Sequence, residues 1–426
     1  MNISQETLKN LGNNLEDTTK IHDTIDSLRS TIPAMAIATP QRTFSYSTSV
    51  DINKKPIVQT LNQCVDTVMS LFYYDHLQYD RSRNLCLTPS PTKFYDVYKP
   101  YTGQSLNGCK LLVWRSGGIG DLLFIQPHLK YLKKIYPDCR IEFATSDQYI
   151  PLIKRWKFID AVFSFPITLD RFKTADYHLT FEGVIERCAE AHTTNAYKLF
   201  RKWMCIDTPD DCLCPSLNPN DKRIHKTVNK FLKDRAIKTN DFILFQLRAS
   251  SPIRTPSSGV WKQIIEPLVR QNHKIVITDG PQHYGNIEKF IRHLFPNYRP
   301  KIFNFAKQSE DINYSICLAS KAKLVIAPDS SLVHIAAGVK TPVFGVYGAF
   351  PGNIRMETYP KADWIEAERS FICRYGGNKC YLHGHLPCPA AKRHPNHLFI
   401  DSSISPCYEL IDFDLANEKI TKLLKR

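Results

Sequence analysis

From Lys110 onward, apolar and polar positions follow two alternating patterns. Short apolar runs, at Lys110–Trp114, 140–144, 161–165 and 178–181, are separated by stretches in which apolar residues recur at every third or fourth position. The short runs predict buried strands, and the spaced stretches predict amphipathic helices. Leu122, Ile125, Leu129, Leu132 and Ile135 give one face of the helix after the first strand, with Pro127 predicting a kink or a later start near Gln126. A longer helical stretch, 184–203, closes this half. After a Pro-, Asn-, Asp- and Cys-rich linker at 210–221 the alternation restarts, with strands at 242–247, 274–278, 324–327 and 342–347 and helices at 261–270, 286–295, 312–322 and 332–337.

Strand–helix alternation repeated twice predicts an α/β chain with two Rossmann-like domains facing a cleft, each a parallel sheet with crossover helices. The domains expected are 108–215 and 221–410. Residues 1–107 form a mostly helical extension in which Leu8, Leu11, Leu15, Ile21, Ile25 and Leu28 mark amphipathic helices and 57–74 another. A final helix, 415–424, capped by Asp414, is expected to cross back to the first half.

Composition narrows the class. The 426 residues are 43% hydrophobic, enough for real cores, yet no run approaches the roughly 18 apolar residues that span a bilayer. The first thirty residues lack the apolar stretch of a signal peptide, so a cytoplasmic protein is expected, with room for peripheral contact at the inner membrane face. Thirteen cysteines then read as thiols or metal ligands rather than disulfides. A formal net charge of +15 favours polyanionic partners: sugar-nucleotide phosphates, anionic glycolipid, acidic protein or nucleic acid.

Two segments carry chemistry. In the first, strand Lys110–Trp114 empties into Arg115-Ser-Gly-Gly-Ile-Gly-Asp121, where Gly118 and Gly120 let a ligand approach the backbone and Asp121 opens a helix. In the second, Ala327-Pro-Asp-Ser-Ser-Leu-Val-His-Ile-Ala-Ala337, a strand ends in Asp329 and the hydroxyls of Ser330 and Ser331 open a helix. Backbone N–H groups and the dipole at such a helix start suit a diphosphate, and Asp329 can accept from sugar hydroxyls. Ser330 as a plain N-cap and His334 as a satisfied helix histidine are the structural alternatives.

These segments resemble glycosyltransferase family nine, the ADP-heptose:lipopolysaccharide heptosyltransferases and their relatives. The Asp-Ser/Thr-Gly-x-x-His-x-Ala-Ala signature of that family is similar to Asp329 through Ala337, and its N-terminal Gly-Asp turn with a following proline matches Gly120, Asp121 and Pro127. The resemblance spans about residues 110–425. It implies a GT-B fold with the donor held by the second domain, Asp121 as general base with a pKa raised by burial, and inversion at the anomeric carbon without a catalytic metal. It also implies donor contacts from Gly118, Gly120, Asp329, Ser330, Ser331 and His334. There are departures. Ser331 stands where the family has glycine, Arg248 and Arg254 where it has a phosphate-binding lysine, and Gln282, after Gly280, where some members hold the ribose with an acid. ADP-heptose is the favoured donor, and the departures leave room for another.

Cys373, Cys380, Cys388 and Cys407, with six, seven and eighteen intervening residues, lie in a Gly-, Pro- and His-containing stretch at 370–407. Four soft ligands there fit a tetrahedral zinc or iron site, and scattered free thiols are the alternative. Autotransporter-protein heptosyltransferases resemble this arrangement, which implies a structural iron rather than a catalytic one. The leading expectation is an inverting, metal-independent glycosyltransferase moving heptose or a related sugar to a lipopolysaccharide-core or protein hydroxyl, with a homo-oligomer left open. A phage-type DNA base glycosyltransferase and a non-catalytic sugar-nucleotide or polyanion binder are the alternatives. A Rossmann oxidoreductase is disfavoured, since no Gly-x-Gly-x-x-Gly with a downstream acid occurs.

Overall fold

The computed structural model describes residues 99–425 except 165–166, 168, 183, 188, 349 and 368–404. The expected N-terminal helices and Cys373, Cys380 and Cys388 therefore lie outside the described residues. By internal contacts the chain divides into two compact units. The first comprises residues up to Gly117, His128–Cys188 and Phe200–Asp207, and the second Gly118–Pro127, Ala189–Leu199 and Thr208–Arg426.

The first unit holds a four-stranded parallel sheet of β1 (Lys110–Trp114), β2 (Arg140–Thr145), β3 (Ala161–Ser164) and β4 (Tyr177–Thr180) in the order β3-β2-β1-β4. The register sets Leu111 beside Ile141 and Tyr177, and Val113 beside Phe143 and Leu179. Leu111 through Trp114 are wholly buried, as a central parallel strand covered on both faces requires.

The crossover helix runs Ile119–Ile135 and so begins seven residues before Gln126, contrary to the expected late start. Gly118, at φ +84°, turns the chain, and the Leu122 N–H closes the first helical bond to its carbonyl at 2.9 Å. Pro127 lacks the N–H that would reach the Leu123 carbonyl. Full burial of Leu122, Ile125, Leu129 and Leu132 outweighs that one lost bond, while Ile135, expected on the same face, is 43% exposed. The single helix expected at 184–203 is broken into Val184–Arg187, a 3-10 turn at Ala189–His192 and Ala196–Trp203. The Asn195 side chain accepts from the Tyr197 N–H at 2.9 Å and restarts the helix.

The second unit holds six parallel strands: β5 (Phe242–Phe245), β6 (Lys274–Ile277), β7 (Ile302–Asn304), β8 (Leu324–Pro328), β9 (Val343–Tyr347) and β10 (Ala362–Glu366), ordered β10-β9-β8-β5-β6-β7. Its core gathers Ile243, Phe245, Trp261, Ile264, Phe290, Ile326 and Phe344. The C-terminal helix, Phe413–Leu424, is capped by Asp412, which accepts from the Leu415 N–H at 3.0 Å, and not by Asp414. Expected to cross back, this helix packs Ala416, Ile420 and Leu423 into the core of the second sheet. No helix among the described residues is long and apolar enough to cross a membrane.

In both sheets strand order reverses beside the first strand, between β1 and β4 and between β5 and β8. In an open parallel sheet, loops leaving the strand ends on either side of that reversal diverge and leave a crevice at the carboxyl edge. The motif residues leave the ends of these same strands.

Candidate active site

In the second unit the loop after β5 is held rigidly. Thr255 Oγ1 donates to the Ser251 carbonyl at 3.0 Å and accepts from the Ala249 N–H at 3.1 Å, and Trp261 Nε1 donates to the Leu247 carbonyl at 2.7 Å. The loop carries both expected arginines. Arg248 Nε lies 3.0 Å from Oδ2 of Asp279, the last residue before Gly280. Burial pushes the Asp279 carboxyl up, and Arg248 opposes that. Arg254 Nη1 donates to the Asp329 carbonyl at 3.2 Å and stands 3.7 Å from its Oδ2, while Nη2 donates to Ser250 Oγ at 3.0 Å.

Asp329 is only 3% exposed at the end of β8. A second arginine reaches it, since Arg355 Nε is 3.7 Å from Asp329 Oδ1 and Arg355 is itself buried. Sequence reasoning missed Arg355. It rides on the short helix Asn353–Met356, which is fixed by a bond from the Gly352 N–H to Glu366 of β10 at 2.8 Å. No motif marks it. Two guanidinium groups around one carboxylate leave a net positive charge beside the helix Ser331–Gly338.

Ser330 occupies the N-cap position of that helix, yet makes no capping bond. Its hydroxyl instead donates to Gln246 Oε1 at 2.8 Å, tying the end of β8 to the end of β5. Ser331, one residue on, is partly exposed. Gly280 precedes the 3-10 turn Pro281–His283, and the exposed Gln282 side chain folds back until its Oε1 stands 2.5 Å from where a Gly280 methyl would lie.

Asp121 belongs to the second unit by its contacts, on the segment Gly118–Pro127. Its carboxylate folds back over Gly118, with Cγ 3.0 Å from where a Gly118 methyl would lie. Positive φ and this close approach both require glycine there. His334 packs edge-on to Phe124 at 4.6 Å between ring centroids. A methyl at Gly120 would stand 3.4 Å from His334 Cδ2 and 3.6 Å from Nε2, so that ring edge lies against the Gly-Asp turn. His334 Nδ1 is 2.6 Å from the Tyr359 hydroxyl, which is 2.9 Å from that of Tyr197. Burial lowers the His334 pKa to about 3, so the imidazole is neutral.

The structure thus brings together Asp121, Gly118, Gly120, Arg254, Asp329, Ser330 and His334, along with Arg355, Gln246 and Tyr359, which had no motif. Arg248, Gly280 and Gln282 group separately at the end of β6. Cys407 is partly buried beside the fully buried Tyr408, and no group of three metal-ligating side chains occurs among the described residues.

Residues 183–361, which include strands β5 to β9, match the family model for glycosyltransferase family 9 (heptosyltransferase). Solved structures of similar fold include the E. coli ADP-heptose lps heptosyltransferase II, at 14% identity over 74% of this chain and 98% of that one, with a TM-score of 0.54. The family match over these residues and the shared fold support a glycosyltransferase. The iron-containing dodecameric glycosyltransferase TibC from enterotoxigenic E. coli is 16% identical over 77% of each chain, with a TM-score of 0.52. A family 9 glycosyltransferase from Veillonella parvula is 12% identical over 62% and 88%, with a TM-score of 0.51. At these identities the structural likeness is one of fold. No curated protein matches this glycosyltransferase by sequence.

Proposed function

We propose that this glycosyltransferase moves a sugar, with inversion and without a catalytic metal, from a nucleoside diphosphate to a hydroxyl acceptor. The observation that carries the reading is the pair Arg254 and Arg355 around Asp329 at the β5/β8 reversal, in the same unit as the Asp121 turn. The Asp121 carboxylate takes the proton of the acceptor hydroxyl as that oxygen attacks the anomeric carbon. The bond from that carbon to the diphosphate oxygen breaks, and its electron pair leaves with the diphosphate. Arg254, Arg355, Ser331 and the helix start at Ser331 meet the developing charge. Because Arg248 is engaged by Asp279, Arg254 is the better placed of the two expected arginines.

ADP-heptose is the favoured donor, since the E. coli heptosyltransferase II is named for it. The acceptor is a lipopolysaccharide-core or protein hydroxyl; a DNA base and a non-catalytic binder are the competing readings. A structural metal held by Cys373, Cys380, Cys388 and Cys407 is supported by TibC being iron-containing, and TibC's dodecamer makes a homo-oligomer worth testing. Of the four ligands Cys407 alone is described, and no step passes through that metal.

Calorimetric titration with ADP-heptose, UDP-glucose, GDP-mannose and the free diphosphates tests the proposal. Saturable binding of one donor, weakened in Arg254→Ala, together with transfer lost in Asp121→Ala at unchanged donor affinity, is expected. Donor binding in the parent without transfer to any acceptor would leave only the binder reading.

A further inference from the structure

A row of three buried groups, Tyr197, Tyr359 and His334, joins the helix Ala196–Trp203 to the helix Ser331–Gly338, and the proposed chemistry does not use the two phenols. All three are essentially sealed from solvent, with Tyr197 at 0% and His334 at 3% exposure. Their rings meet edge to face, Tyr197 on Tyr359 at 6.0 Å and His334 on Tyr359 at 5.9 Å between centroids. Neither phenol is part of a recognisable motif. The Tyr359 hydroxyl stands between two partners, 2.6 Å from His334 Nδ1 and 2.9 Å from the Tyr197 hydroxyl.

A neutral imidazole offers one nitrogen as donor and the other as acceptor, and the bond made at one nitrogen decides the state of the other. A phenol O–H is the stronger acid of this pair and the imidazole nitrogen the stronger base. The favoured polarity therefore runs from the Tyr197 hydroxyl to Tyr359 and from the Tyr359 hydroxyl to Nδ1. That leaves the ring proton on Nε2, at the edge that faces Gly120 beside Asp121.

We infer that Tyr359, backed by Tyr197, is a positioning residue that fixes His334 in its Nε2–H tautomer and aims this N–H at the Gly118–Asp121 turn, where it donates to an oxygen of the bound sugar nucleotide. This rests on the proposed transferase reading for the identity of the acceptor oxygen, and not for the tautomer. Since the histidine stays neutral, the donor N–H is present throughout the physiological pH range. A charged imidazolium would add attraction for the phosphates, but burial beside Arg355 and Arg254 opposes it. The phenol bond therefore supplies direction rather than charge.

The test is a long-range 1H–15N spectrum of the full chain labelled at its 14 histidines, with His334 assigned by its loss in His334→Gln. A bare, hydrogen-bonded Nδ1 and a protonated Nε2, unchanged between pH 5 and 8, are expected in the parent. A mixture of tautomers is expected in Tyr359→Phe. A proton on Nδ1 in the parent overturns the inference, and so does an unchanged tautomer in Tyr359→Phe. Should that variant fail to fold, the parent spectrum still decides.

A kinetic measurement follows. Tyr359→Phe should raise the donor KM about tenfold with a smaller change in kcat. His334→Gln, whose amide nitrogen reaches the Nε2 position, should stay closer to the parent than His334→Asn. Equal loss in the Gln and Asn variants would overturn the donor role of Nε2. The right tautomer in a protein that binds no sugar nucleotide would sink the proposed function and leave the positioning of His334 standing.

Discussion

The ends of β1 and β5 occupy the same place in two sheets of like topology, yet they handle charge in opposite ways. After β1, Arg115 and Glu182 are both buried, with Arg115 Nη1 3.5 Å from Glu182 Oε2. Arg115 also donates to the Phe181 carbonyl at 2.9 Å and through Nε to the Gly117 carbonyl at 2.8 Å, while the Ser116 N–H donates to Glu182. One cation meets one anion, and both are spent on the backbone of the turn. After β5 and β8, Arg254 and Arg355 share the single carboxylate of Asp329, and a cation remains in excess. A balanced buried pair shapes a loop, and an unbalanced one is available to an anionic ligand.

The comparison can be broken most decisively at Asp121, the one acid on the glycine turn that is proposed to do chemistry. Asp121→Asn should reduce kcat by about 10²- to 10⁴-fold, the usual worth of a general base, and leave the donor dissociation constant within a factor of about two. Rapid-quench turnover beside calorimetry separates the two quantities, and an equal loss in both would make Asp121 a binding residue.

The balanced and unbalanced arginine sites should fail in different measurements. Glu182→Leu leaves Arg115 buried without its anion and should cost about 3–5 kcal/mol of stability, read as a fall in the denaturant midpoint. Arg254→Ala removes a partly exposed cation and should weaken donor binding by about 1.5–3 kcal/mol, the range for a hydrogen bond to a charged group, with little change in the midpoint. If Glu182→Leu lost donor affinity at full stability, or Arg254→Ala lost stability at full affinity, the contrast drawn between the two turns would be reversed.

Much of this fold was legible because buried parallel strands are continuous apolar runs. Phe242–Phe245 and Val343–Tyr347 stand out as such, and each was placed within two residues. Ile302–Asn304 escaped because three residues carry no periodicity, and Ala362–Glu366 because an edge strand tolerates Asp363 and Glu366. The site was legible only where its residues share a local motif. Asp121, Asp329, Ser330 and His334 lie on strand-to-helix turns whose glycines and hydroxyls mark them. Arg355 and Tyr359 reach the same place from the loop after β9, and Tyr197 from a distant helix. Nothing local marks a residue whose role is to touch something more than a hundred positions away, as Tyr197 touches Tyr359.

The smallest expected effect sharpens the comparison through one histidine from each unit. His178 on β4 stacks on Phe172 at 3.9 Å between ring centroids and bonds to the backbone: Nδ1 accepts from the Lys99 N–H at 3.0 Å and Nε2 donates to the Phe172 carbonyl at 2.9 Å. Burial lowers its pKa to about 4, as it lowers that of His334 to about 3. In the unfolded chain both should titrate near 6.5. Between that value and the folded one the unfolded state binds more protons, so acid favours unfolding. The stability that neutral burial secures is intact above about pH 7 and declines as pH falls below 6.5, by up to about 1.4 kcal/mol per unit for each histidine. The His178 share stops growing near pH 4 and the His334 share near pH 3. Denaturant midpoints at pH 7.5, 6.5 and 5.5 should therefore be flat and then fall. His334→Gln and His178→Gln should each remove about half of the fall that these two groups produce. A slope unchanged in His334→Gln would mean that this imidazole takes up its proton as readily in the folded protein as in the unfolded chain, and below pH 6.5 its Nδ1–H would then donate to the phenol oxygen rather than Nδ1 accept from it.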